Sequence, residues 1–514
     1  MSPMEAGRAR PLREYAGWWV AQLNGRVIGV GRTREEAYLA AKSSRPKEEP
    51  TALFQVSPEP AEGPSPGAGV LSAFDRDSFL AGVRGALLAQ EVEAYLVGGS
   101  VRDLLTGRDI HDVDMVVAGN GLAVGARLAD ALRAPFFPLD RERKVARLVV
   151  DRPGLGRAFV DVASLRGSSI EEDLRARDFT VNALAVDLAR LELLDPCGGQ
   201  EDLCARRLRL VSDGAIRDDP IRALRAVRQA AELGLELDLG TARIIARDGE
   251  RLGAVSPERT RDELVRILAL ADAAGALGRA ERLGLLRPVV PELASLKGVD
   301  QPAPHRLDVW DHTLLVVARL ERILAGLWAN RSALESVESA LRRLDPFQLS
   351  LRRHFERPLA DARPRWVILK LAALLHDVGK PASRGLDAAG RVRFLGHERL
   401  GEGMATEIMA RLRFSRAEIG LVGAVVRNHM RPLTLSQGAG LTSRAAHRYY
   451  RDLDLAGVDT AILALADYWA LRPGHAPARG WEALAQVVAG LLEHWWGEDS
   501  PERARMLLTG RDVM

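Results

Sequence analysis

Two sets of residues have the types and spacing for chemistry. Asp112 and Asp114 flank one residue at the start of the apolar run Val113–Val117. In a strand, positions i and i+2 share a face, so both carboxylates point the same way. Two like charges side by side are unfavourable unless a divalent cation lies between them. Upstream, Gly98-Gly99-Ser100-Val101-Arg102-Asp103 follows the apolar segment Ala94–Val97 and opens a helical pattern. Glycines at such a turn let backbone N–H groups approach phosphate oxygens, and a helix start favours negative charge. The turn and the Asp-x-Asp pair together are far more specific than either alone. The second set is His312, His376-Asp377, His397, His429 and Asp467, which holds four of the ten histidines. Adjacent His and Asp on one helix can both bind a divalent metal, with remote ligands closing the site. Such a centre activates bound water.

The elements that must position these residues differ along the chain. Ala94–Val97 and Val113–Val117 read as strands, with further strands around Arg147–Val150 and Ala158–Val162. A helix leads in from Leu71 and another covers about Leu122–Leu132, a mixture that indicates an α/β or α+β domain. After Leu194 the pattern is almost entirely helical, with loops at Pro302–His305, Ala382–Arg391 and Arg472–Arg479 and no fixed-period repeat. At the N-terminus, Trp18–Val30 alternates around Asn24-Gly25, a hairpin signal. Thr33 and Glu36 then form a capping-box pair before a helix reaching about Lys42, giving a small ββα module. Ser57–Gly69, rich in Pro, Gly and Glu, reads as a flexible linker.

Composition bounds the rest. A chain of 514 residues suggests about three or four domains. Hydrophobic and charged fractions of 47% and 27% exclude global disorder, collagen-like repeats and a membrane bundle. The net charge of +3 is too small for a polycation, although 66 of the 72 basic residues are arginines. Arginine suits bidentate phosphate contacts, and GC-rich codon usage is the plainer cause of the excess. Two cysteines, Cys197 and Cys204, cannot staple so long a chain, so it reads as intracellular and reduced. Lys370 interrupts the best apolar run, so no membrane helix is expected. Met1–Trp18 lacks the apolar core of a signal peptide, and a cytoplasmic location follows.

The segment Leu96–Arg108 followed by Asp112-x-Asp114 resembles the signature of class II tRNA nucleotidyltransferases, the CCA-adding enzymes and related bacterial poly(A) polymerases. The resemblance continues through Glu172–Ala183, Asp195–Gly199, Asp218–Ala226 and Ser256–Arg259. It implies that Asp112 and Asp114 hold two Mg²⁺ ions, one for the RNA 3′-hydroxyl and one for the triphosphate and leaving pyrophosphate. Asp161 is either a third catalytic carboxylate or a structural acid. Gly98, Gly99, Ser100, Arg102 and Asp103 would bind nucleotide, as would Arg177, Asp178 and Asn182 in the second motif. Asp219 and Arg222 match the pair that reads the incoming base, accepting from and donating to C or A. The alternative for Asp219 is a helix N-cap ahead of Pro220. Arg222, Arg225 and Arg228 recur every third residue as a basic stripe for triphosphate or RNA.

Two departures stand out. Ala176 replaces one of the two arginines usual before Asp178, with Arg175 or another arginine available to compensate. Only Gly167–Ile170 separates Arg166 from Glu171, where complete CCA-adders carry a much longer loop. Members lacking that loop resemble enzymes that add only CC. Ser169 and Glu172 form a capping box that starts the next helix at once.

Leu374–Pro381 resembles the HD phosphohydrolase signature, and Asp308–Thr313, Gly396–Glu398 and Asn428–Met430 match its flanks. This reverses the ordinary expectation that a buried histidine is structural. It implies an active centre on Mg²⁺, Mn²⁺, Ni²⁺ or Co²⁺ with phosphatase or 2′,3′-cyclic phosphodiesterase activity on RNA ends.

The fold expected is α+β and mostly helical. A ββα module (1–56) and linker (57–70) precede a mixed-sheet nucleotidyltransferase head (71–195). A helical neck and body (196–300), an all-α HD domain (301–475) and a C-terminal helical segment (476–514) follow. Trp18, Trp19, Trp481, Trp495 and Trp496 are expected to pack rather than stack on bases. Relatives continue beyond Leu507–Met514, so a shortened or lost tail is expected. The function expected is transfer of CMP, and secondarily AMP, from CTP or ATP to tRNA, with CC addition ahead of CCA addition. Rival readings are an A-adding enzyme or poly(A) polymerase, an HD phosphodiesterase with a non-catalytic RNA-binding first half, and a tRNA chaperone. Oligomeric state is left open.

Overall fold

The computed structural model describes residues 19–23, 26–31, 37–38, 40–42, 52–55, 77–108, 110, 112–152, 156–328, 341–360, 363–438, 440–471 and 480–497. The Thr33/Glu36 pair, the linker, the loop 472–479, Trp18 and the segment 507–514 lie outside them. The chain forms two compact units, residues 1–96, 100–164 and 186–194 in the first, the remainder in the second.

In the first unit, β1 (Trp19–Leu23), β2 (Arg26–Gly31) and β3 (Ala52–Gln55) make an antiparallel sheet in the order β2-β1-β3. The third strand is an addition to the expected ββα module. Gly29 is required there, because a Cβ would lie 2.3 Å from Ala37 O and from Ala41 N.

The main sheet has seven strands. Its elements are α1 (Ser78–Leu88), β4 (Ala94–Val97), α2 (Gly99–Leu105), β5 (Val113–Val117), α3 (Gly121–Leu132), β6 (Phe136–Asp140), β7 (Val145–Arg152), β8 (Gly156–Ser164), β9 (Ala185–Asp187) and β10 (Leu193–Leu194). The strand order is β10-β9-β4-β5-β8-β7-β6. β5 and β8 are parallel, while β4/β5, β7/β8 and β6/β7 are antiparallel, which is the mixed sheet expected. Alternation along β7 and β8 buries Ala146, Leu148, Val160 and Val162 on one face. α3 covers that face, and Gly125 permits the approach, since a Cβ there would meet Ala146 Cβ at 2.6 Å. The opposite, more open face carries Asp114, Arg147, Phe159 and Asp161.

The second unit is helical. It contains α4 (Ile170–Arg175), α5 (Arg222–Leu233), α6 (Pro257–Leu268), α7 (Ala273–Arg282), α8 (Val309–Trp328), α9 (Arg365–Leu375), α10 (His397–Arg411), α11 (Arg416–Asn428), α12 (Ala456–Ala470) and α13 (Trp481–Trp496), with further helices and turns between. One continuous apolar cluster runs from Phe179 to Trp495, so the body helices and the histidine-bearing helices share a core. Polar staples join the same parts. Lys370 Nζ donates to Leu270 O (2.7 Å) and to Glu321 Oε1 (3.0 Å), which also accepts from Ala273 N (2.7 Å). Arg411 binds Glu292 through two bonds of 2.8 Å. Within the expected loop 382–391 the structure instead starts an exposed hairpin, Arg384–Leu386 against Val392–Phe394, turned on the Asp387 carboxylate. Trp481 and Trp495 are buried, Trp495 stacked on Tyr450, in keeping with packing.

Candidate nucleotidyl-transfer face and candidate metal centre

β5 positions the first set of residues. Ser100, buried at the start of α2, donates to Asp112 O (3.0 Å) and accepts from Asp114 N (2.9 Å). Its hydroxyl therefore pins the Asp-x-Asp strand, and any phosphate contact at Gly98–Ser100 falls to the backbone. Gly98, with φ of 69°, makes the turn, and its N–H donates to Leu184 O at 3.1 Å. Arg102 pairs with its neighbour Asp103 at 2.8 Å. Asp112 is exposed, with Oδ1 accepting from Phe159 N at 3.2 Å. Asp161 stands opposite Asp114 across β5/β8 and opposite Arg147 across β7/β8. Arg147 grips it with Nε to Oδ1 (2.8 Å) and Nη2 to Oδ2 (2.7 Å). Asp112, Asp114 and Asp161 do not bring three ligand atoms within 4.8 Å of one another; among the described residues, such groups occur only in the second unit. Arg147 escaped the sequence reading, since nothing in a lone arginine on a strand announces a partner on the next.

In the second unit, Arg177 bonds Asp173 (2.8 Å), and Asn182 Nδ2 bridges Asp178 Oδ1 and Gln229 Oε1 (both 2.9 Å). Arg225 pairs with Asp178 (3.2 Å) and Glu263 (3.4 Å), and Arg228 with Glu263 (2.8 Å) and Glu232 (2.6 Å). Arg225 and Arg228 of the expected basic stripe thus share the buried Glu263 within the body, while Arg222 makes no ion pair among the described residues. Asp219 does not cap a helix, because α5 begins at Arg222 with Ile221 as its N-cap. Its Oδ2 accepts from Arg259 Nη2 at 2.7 Å, which gives Arg259 a role the sequence left blank. Arg222 donates to Ala215 O (3.3 Å) and Ala176 O (2.9 Å). The second contact needs only a carbonyl, so alanine at 176 leaves it intact.

The connection from β8 to α4 is the five residues Leu165–Ser169. Gly167 turns it at φ of 84°, and Glu172 Oε2 accepts from Ser168 N (2.7 Å) and Ser168 Oγ (3.0 Å). Ser169 caps Glu172 N at 3.4 Å, so the expected box is half formed, with Ser168 receiving the returning carboxylate.

The histidines converge around Asp377. His376, His397 and His429 hold Nδ1 against the carbonyls of Ala373 (2.7 Å), Phe394 (2.8 Å) and Val426 (2.8 Å), each three residues upstream. A carbonyl only accepts, so Nδ1 is a donor in each ring and Nε2 is the nitrogen left to face the cluster. His312, His376 and Asp377 form one triad of ligand atoms, and Asp377, His397 and His429 another. His312 Nε2 lies 2.9 Å from Asp467 Oδ1. His376 Nε2 and both Asp377 oxygens are buried without a hydrogen bond; Lys380 Nζ, 2.6 Å from Asp377 Oδ2, makes an ion pair only. Such orphaned donors fit divalent metal. Burial opposes ionisation of Asp377, but the charges of His376 and Lys380 outweigh it and hold the carboxyl well below the usual range. Burial and the neighbouring His376 push His429 down to about 4, so it is neutral and ligand-ready at pH 7. Lys380 and His305, whose ring edges that of His312 at 5.0 Å, are neighbours the sequence reading did not single out.

An Asp-x-Asp face on a mixed sheet, a helical body and a buried His/Asp centre define a nucleotidyltransferase joined to a metallohydrolase fold. Residues 94–209 match the poly A polymerase head domain, residues 234–297 the "Probable RNA and SrmB- binding site of polymerase A", and residues 309–470 the HD domain. Residues 11–59 match a family of unknown function. The chain is 36% identical to an A-adding tRNA nucleotidyltransferase of Deinococcus radiodurans, over 82% of this chain and 86% of that protein. It is also 36% identical to a CC-adding tRNA nucleotidyltransferase of Thermus thermophilus, over 82% and 84%. The solved Thermotoga maritima CCA-adding enzyme complexed with tRNA shares the fold, with a TM-score of 0.55, 19% identity and coverage of 87% and 91%. The chain belongs to the class II tRNA nucleotidyltransferases, carries a C-terminal HD domain, and acts in nucleotide addition at tRNA 3′ ends. No described helix is long and apolar enough to cross a membrane.

Proposed function

We propose that this enzyme adds CMP from CTP to tRNA and stops at CC. The observation that carries this reading is the connection Leu165–Ser169, short and tied to Glu172. Accepting a purine after two pyrimidines requires the nucleotide site to change shape, and a tied five-residue turn has little reach to drive that change. Asp112 and Asp114 offer hard oxygen ligands on an open face, which suits Mg²⁺; bound there, it would stabilise triphosphate charge and acidify the 3′-hydroxyl. Asp219 supplies an acceptor for the exocyclic amine of cytosine, and Arg222 and Arg259 supply donors beside it.

The HD centre, in this reading, hydrolyses phosphate esters at RNA ends. His312, His376 and Asp377 would hold one divalent ion, and Asp377, His397 and His429 a second. Asp467 would hold His312 or join the first ion.

The equal identity to an A-adding relative supports a second reading, addition of the terminal A alone. Three tRNA transcripts, ending before CCA, after C and after CC, separate the two. Each is incubated with Mg²⁺ and labelled CTP or ATP. CTP use on the first two and no ATP use on the third is expected. ATP use on the third alone would establish the A-adding reading, and growth of all three to a single A would establish full CCA addition.

A further inference from the structure

The face that carries Asp112 and Asp114 has a cation held on it from two strands away. Arg147 on β7 is gripped by both oxygens of Asp161. Its guanidinium lies 4.7 Å from the centroid of the Phe159 ring, which fixes its plane. The grip uses Nε and Nη2, and among the described residues no hydrogen bond or ion pair uses the Nη1 edge. Asp114, Asp161 and Arg147 stand in one row across three strands. At about 4.8 Å between strands, Arg147 begins about 10 Å from Asp114. A triphosphate reacting at its α-phosphorus above the Asp pair would carry its outer phosphates part of that way, and the arginine side chain spans the remainder. Two of the side chains expected to bind nucleotide have other partners, Ser100 on the β5 backbone and Arg102 on Asp103. Asp161, for its part, has both oxygens on Arg147 and joins no three-ligand cluster.

We propose that Arg147 binds the outer phosphates of the incoming nucleotide, and that Asp161 is a positioning residue for Arg147 rather than a third metal ligand. A bidentate arginine–carboxylate pair leaves a pre-aimed N–H edge, the arrangement suited to phosphate. The inference rests on the Asp112/Asp114 face being the transfer face.

The test is CMP incorporation into a tRNA transcript lacking CCA, with KM for CTP, kcat and the half-saturating Mg²⁺ concentration read separately. Mn²⁺ binding without nucleotide, followed by electron paramagnetic resonance, gives a readout besides activity. Arg147→Met should raise KM for CTP about tenfold or more, the worth of a hydrogen bond to a charged group. Asp161→Asn should shift KM in the same direction, and the double variant should be no worse than Arg147→Met. Mn²⁺ binding and the Mg²⁺ half-point should stay at their original values in Asp161→Asn. Arg147→Lys, which keeps the charge and loses the fork, should give an intermediate KM and carries the test should Arg147→Met fail to fold. An unchanged KM in Arg147→Met, or weakened Mn²⁺ binding in Asp161→Asn, would overturn the proposal. Asp112→Ala distinguishes the two levels: lost incorporation there with a normal Arg147→Met sinks this inference alone, whereas retained incorporation sinks the transfer face and the inference together.

Discussion

Asp112 and Ser100 act on the same few atoms, and their variants should differ in kind. Asp112→Ala removes a proposed metal ligand, and incorporation of labelled CMP should fall by at least a thousandfold, on the order of 4 kcal/mol or more. Ser100→Ala leaves Asp112 O and Asp114 N without their buried partner, at about 1–3 kcal/mol, so melting temperature and kcat should fall together. At the HD centre, His376→Ala should abolish hydrolysis of 2′,3′-cyclic AMP while CMP incorporation persists; loss of both would sink the separation of sites. Metal binding there has a pH dependence of definite sign. The charges of Asp377 and Asp467 raise His376 above its ordinary value despite its burial, so protons compete with metal through the near-neutral range. His429, at about 4, adds no competition until strong acid. Ni²⁺ affinity measured by equilibrium dialysis should therefore rise from pH 5.5 to 8. The placement of Asp112 and Asp114 at β5 and of His376 and Asp377 in the buried His/Asp cluster was legible in the sequence, because Asp-x-Asp and His-Asp state their geometry locally, through the strand and helix repeats. Arg147, Arg259 and the Glu263 that neutralises Arg225 were not, because each meets its partner across a strand pair or between helices far apart in sequence.

Among the elements, the long periodic ones could be read and the short exposed ones could not. The apolar core of β5 and the stripe of α3 fall where the hydrophobic pattern put them. β6 did not, because Phe137, Pro138 and Leu139 are all exposed on an edge strand and carry no alternation. The hairpin at Arg384–Phe394 has the same character, and its exposed strands carry no pattern that separates them from a loop. The turn before α4 was legible through Ser169 but not its tie through Ser168. Gly167→Ala should loosen it, since the residue sits at positive φ and a Cβ would meet Glu172 Oε2 at 2.3 Å. The strain is about 1 kcal/mol, seen as a lower melting temperature. The staple under α9 is stronger. Lys370→Met strands Glu321 in a buried setting, and unfolding in denaturant should show a loss of about 3 kcal/mol. Glu321→Gln should restore part of it in that background.

At the scale of the molecule, the sequence suggests a division at residue 300, whereas the apolar cluster of the second unit crosses it without interruption. The periodicity of a helix shows that it has a buried face but not which helix covers it, so a shared core is invisible until the chain is folded. Helices that bury common surface melt together, and calorimetry should show one transition for the body and HD helices rather than two. The practical consequence concerns gene surgery. A chain ended near residue 300 would present to water the apolar faces that α8 and α9 now cover, and such a fragment should collect in inclusion bodies. Separating nucleotide addition from the proposed hydrolysis therefore calls for silencing single side chains in the full-length protein, because the two sites are separable by atoms and inseparable by length.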